Sequence, residues 1–66
     1  MRELLYISDV MAKYQGKIPR QKIEEVVKKY DDIYHPRIKR HPESKGKLEK
    51  EMLLAMDSDL EKLLVN

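Results

Sequence analysis

His35, His41 and Glu43 come closest to a metal-ligand set in this sequence, and Ser8, Ser44, Ser58 and four tyrosines are the side chains with hydroxyl groups. Two histidines six residues apart in a proline-containing stretch match no usual zinc spacing, so they read as loop histidines, and neither metal nor cofactor is expected. The chain has no cysteine, no threonine and no glycine-rich phosphate loop. Nothing in it pairs a nucleophile with a base and an orienting acid, which predicts a protein that is not an enzyme. Tyr14, Tyr30 and Tyr34 fall on apolar helical stripes, where core packing with a hydroxyl at the rim is the expected role rather than stacking on bases. What remains is a set of cationic and loop residues suited to binding. Lys28, Lys29, His35, Pro36, Arg37, Lys39 and Arg40 form the candidate partner-binding site.

The elements that must position these residues show a helical period and no sustained strand alternation. Leu4, Ile7, Met11 and Tyr14 share one face of a helix over about residues 3–15, ended by Gly16. Pro19 suits the first turn of a second helix over about 19–34, with Ile23, Val26, Val27, Tyr30, Ile33 and Tyr34 as its stripe. Pro36 disfavours the α conformation at His35, so this helix is expected to stop near Tyr34 or His35 and to leave a basic loop over 35–47. A third helix over about 45–64 follows Ser44, with Leu48, Met52, Met56, Leu60, Leu63 and Leu64 as its stripe, widened by Leu53 and Leu54. The fold class expected is all-α: a single domain over 1–66, a central antiparallel helical hairpin braced by a short N-terminal helix. Val27 and Leu60 should lie at the centre of that hairpin.

At 66 residues only a modest core can form, and 39% charged residues beside 41% hydrophobic ones suit short amphipathic helices with charged outer faces. The net charge of +2 is unevenly spread: residues 17–47 hold ten Lys/Arg against five Asp/Glu, and residues 48–66 hold two against five. No apolar run reaches the roughly 20 residues that span a bilayer, and the N-terminus lacks a secretory pattern, which predicts a cytoplasmic protein without a membrane partner. The third helix carries more apolar surface than two short partners can cover, which predicts a homodimer or an exposed groove for a protein partner.

One stretch carries a family resemblance. Ile23-Glu24-Glu25-Val26-Val27-Lys28-Lys29-Tyr30-Asp31-Asp32-Ile33-Tyr34-His35-Pro36-Arg37 resembles the second helix and His-Pro-Asp signature of the J-domain of DnaJ-type co-chaperones, keeping the isoleucine, two basic residues and Tyr-His-Pro in register. Leu53, Met56, Leu60 and Leu63 reproduce the spacing of the family's third helix with aliphatic residues, so the resemblance spans roughly residues 4 to 64. It implies a protein partner, the seventy-kilodalton heat-shock chaperone. The departures are specific: Arg37 stands where the signature has the aspartate required to stimulate ATP hydrolysis, and Asp59 stands where alanine is usual. The resemblance therefore implies a degenerate regulator or adaptor that binds without stimulating.

A nucleic-acid-binding regulator is the alternative. Ala12 and Gly16 have the spacing of a helix-turn-helix turn, and Arg37, Lys39 and Arg40 supply cations for phosphate. Against it, the apolar positions after the turn arrive one residue late, and Glu24, Glu25, Asp31 and Asp32 would face phosphate from the second helix.

Overall fold

The structure, a computed structural model, describes residues 5 to 65, the side chain of Val65 excepted. Three helices form one all-α arrangement: α1 (Ile7–Tyr14), α2 (Arg20–Arg40) and α3 (Lys45–Val65), with a 3₁₀ turn, Pro42–Ser44, between the last two. No strand occurs among the described residues. The expected hairpin is α2 against α3, the largest helix contact, and α1 lies mainly on α3. Two helices of 21 residues each, about 31 Å long at 1.5 Å per residue, set the 36 Å long axis of the molecule.

The first helix is shorter than its apolar period suggests. Leu4 lies outside the described residues, and α1 begins only at Ile7. Asp9 explains that start: its carboxylate accepts the backbone N–H groups of Tyr6 at 2.9 Å and Leu5 at 3.1 Å, holding Tyr6 in an extended conformation ahead of the first turn. The helix ends at Tyr14, whose carbonyl accepts the N–H groups of Lys17 (3.0 Å) and Ile18 (3.1 Å). Gly16, at φ +82°, supplies the left-handed backbone that turns the chain toward α2.

The second helix corrects the sequence reading. It does not stop before Pro36 but runs through it to Arg40, so the expected loop over 35–47 shrinks to His41 and the 3₁₀ turn. Pro36 removes one N–H from the helix ladder, which favours a break but does not compel one. The helix is held on both sides of the gap. Tyr34 and Ile38 are half-buried, and the His41 N–H donates to the Arg37 carbonyl at 2.9 Å. Arg37, Lys39 and Arg40 in the last turn also suit the negative end of the helix dipole.

The core is Val10, Tyr14, Ile18, Ile23, Met52, Leu53, Met56 and Leu60, with Ile7, Met11, Val26, Val27, Tyr30 and Tyr34 packed around it. Val10, which the stripe reading passed over, is fully buried, because the pattern Ile7, Val10, Met11, Tyr14 completes an i, i+3, i+4, i+7 face. Ile33 on α2 and Leu54, Leu63 and Leu64 on α3 remain exposed.

Two Lys-Tyr pairs clamp α3 from either side. Tyr14 donates its hydroxyl to the Asp57 carboxylate at 2.7 Å and lies 3.1 Å from the Asp57 carbonyl, while the Lys13 ammonium reaches the same carboxylate at 2.8 Å. On α2, the Tyr30 hydroxyl donates to Asp59 at 2.7 Å and Lys29 approaches that carboxylate at 3.5 Å. Residues i and i+2 point to opposite flanks of a helix, so Asp57 serves α1 and Asp59 serves α2.

Candidate functional site

The turn joining α2 to α3 is where the unpaired charge collects. Five ion pairs occur among the described residues: Lys13–Asp57, Arg20–Glu24, Lys22–Glu25, Lys29–Asp59 and His41–Glu43. None takes Arg37, Lys39, Arg40, Lys45 or Lys47, although all five are exposed within eleven residues of one another. Two elements force them together. The last turn of α2 brings Arg37, Lys39 and Arg40, and the first turn of α3 brings Lys45 and Lys47 with no acidic residue beside them. At the start of α3 a cation opposes the helix dipole, so these lysines are not placed where helix stability would put them.

Part of this end is concave. A hollow of about 410 Å³ is walled by Arg37 and Arg40 from α2, by His41 and Ser44 from the connection, and by Lys47, Leu48 and Glu51 from α3. The Arg37 guanidinium stacks over the Tyr34 ring at 5.5 Å from its centroid, which limits its rotamers without using its hydrogen-bond donors. His41 Nδ1 lies 3.4 Å from a Glu43 carboxylate oxygen. Among the described residues no group of three or more His, Asp or Glu side chains is placed to hold a metal ion.

The seven residues marked by the sequence divide accordingly. Arg37 and Arg40 meet in the hollow, and Lys39 lies on the same last turn of α2. His35 and Pro36 are exposed on α2 itself rather than in a loop. Lys28 is exposed one to two helix lengths of a short segment away, about 14–18 Å up α2 from Arg37 and Arg40 at 1.5 Å per residue. Lys29 is engaged with Asp59 and lies 5.2 Å from the Tyr30 ring centroid. Lys45, Lys47, His41 and Ser44 join the site although the sequence reading did not select them; the signal was the concentration of charge on both sides of a connection shorter than it looked.

Comparison with protein-family models, with curated proteins and with solved structures gave no significant match.

Proposed function

We propose that this chain is a non-enzymatic protein-binding module that docks the cationic end of its helical hairpin on an acidic surface of a partner. The observation that carries this reading is the cluster of Arg37, Lys39, Arg40, Lys45 and Lys47 without a carboxylate within ion-pair distance among the described residues. Lys13, Arg20, Lys22 and Lys29 by contrast each meet a carboxylate, Lys17, Lys28, Lys50 and Lys62 lie outside the cluster in sequence, and a patch of one sign steers association with the opposite sign.

Nucleic acid remains the alternative, and the distribution of charge weighs against it. A polyanion needs a track of cations, whereas Glu24, Glu25, Asp31 and Asp32 are all exposed along α2, and its first-turn cations Arg20 and Lys22 are paired with Glu24 and Glu25. The test is capture from nuclease-treated native lysate by immobilised wild type and by an Arg37→Glu, Arg40→Glu, Lys47→Glu variant. The wild type should retain acidic proteins that rising salt releases, and the variant should not. Identical capture by both, or capture abolished by nuclease, would overturn the reading.

A degenerate J-like regulator is the narrower form of the proposal. The register of Ile23 to Arg37 favours it; the place of His35-Pro36-Arg37 inside α2 is a further departure from a signature that precedes the third helix in a loop. Arg37→Asp restores the family's charge, so on this narrower reading it should raise ATP turnover by the seventy-kilodalton chaperone while wild type does not.

A further inference from the structure

From the same hairpin end, we infer that the hollow between α2 and α3 recognises a phosphomonoester on a protein segment, such as a phosphorylated serine. This rests on the protein-binding reading above and names the chemistry of its partner. Charge balance comes first: Arg37, Arg40 and Lys47 place three permanent cations around a space that contains one carboxylate, Glu51. That leaves a surplus of two positive charges, of which a single aspartate or glutamate side chain would match only one. A phosphomonoester carries about −1.5 to −2 charges and three acceptor oxygens near neutral pH, which matches it.

Donor geometry points the same way. Arg37 and Arg40 are three apart on one helix and therefore neighbours, and each guanidinium offers a planar fork suited to two phosphate oxygens. Ser44 adds a hydroxyl from the connection, and Lys47 closes the opposite wall as a point charge. Tyr34, stacked under Arg37, holds that fork ready. Shape then separates a side-chain phosphate from a nucleic-acid backbone. The hollow, about 410 Å³, lies at one end of a molecule 36 Å long, and the acidic residues along α2 leave no continuation for a strand of phosphodiesters.

The experiment is a titration of the ¹⁵N-labelled full chain with three probes: a blocked pentapeptide carrying one central phosphoserine among alanines, the same peptide with glutamate in its place, and a short DNA duplex. The phosphopeptide should shift amide signals of residues 37–51 and bind about tenfold or more tightly than the glutamate peptide. Arg40→Lys, which keeps the charge but not the fork, should weaken phosphopeptide binding several-fold, and an Arg37→Ala, Arg40→Ala variant should abolish it. All of these changes are on exposed positions, and an unchanged thermal midpoint confirms that the fold is intact. Equal binding of the phosphoserine and glutamate peptides overturns this inference while leaving the acidic-partner reading standing. Tighter binding to the duplex, or no response of residues 37–51 to either peptide together with no effect of the charge reversals on lysate capture, overturns both.

Discussion

Asp57 is the residue on which the N-terminal helix depends. Burial pushes its carboxyl upward, but hydrogen bonds from Lys13 and Tyr14 and the charge of Lys13 outweigh that, so it titrates below the usual carboxylate range. A carboxyl whose value is lower folded than unfolded lends stability above about pH 3.9 and loses it as pH falls through the folded value. Tyr14 works in the other direction: burial, then its hydrogen bond to Asp57, pushes the phenol up to about 12. Its contribution is complete below the ordinary value of 10.0 and is lost as pH rises through about 12. Tyr14→Phe should therefore cost about 1.5–3 kcal/mol at neutral pH. Urea midpoints followed from pH 9 upward should fall more steeply for wild type than for this variant; parallel curves would mean that the hydrogen bond is not felt. The clamp was half legible in the sequence, because Lys13-Tyr14, Lys29-Tyr30 and the Asp57-Ser58-Asp59 spacing are plain to see. Which tyrosine meets which aspartate depends on the order in which helices pack, and no local pattern encodes that.

At the scale of elements, α3 and the start of α2 followed directly from apolar period and proline placement, while the end of α2 did not. The rule that a residue before proline avoids the α region is a local preference, and the packing of Tyr34 and Ile38 outweighs it here. The helix nonetheless retains a missing hydrogen bond at Asp32. Pro36→Ala, at an exposed position, restores that bond and gives back part of the chain entropy that proline removes from the unfolded state. The expected gain is about 1–2 kcal/mol, which for a domain of this size raises the thermal midpoint by about 4–8 °C per kcal/mol. A lower midpoint in differential scanning calorimetry would show that the proline is favourable where it stands. The same misplacement of the helix end concealed the cationic cluster. The cations were visible as a composition bias, but assigning nine of the intervening residues to a loop hid the fact that two helix ends press them together.

For the whole molecule, stability is concentrated where all three helices meet, around Met56 and Leu60, and thins toward the connection. Leu60 is fully buried and Leu60→Ala should cost about 2–5 kcal/mol, enough to unfold a domain this small. Val27, expected from the sequence to be equally central, is only half-buried, so Val27→Ala should cost clearly less; guanidinium titrations that ranked the two in reverse would contradict the packing described. Fold class was legible because period and charge agreed along the chain, whereas depth of burial depends on how far the short α1 reaches along the hairpin. The two clamps also give the protein a built-in optical signal. The chain has no tryptophan, so its ultraviolet emission comes from four tyrosines, and two of these, Tyr14 and Tyr30, donate to carboxylates at 2.7 Å. A carboxylate in that position accepts the phenolic proton in the excited state and quenches the light. Loss of structure separates each phenol from its aspartate, so the unfolded chain should glow more brightly than the folded one, and Asp57→Asn and Asp59→Asn should brighten the native protein one fluorophore at a time.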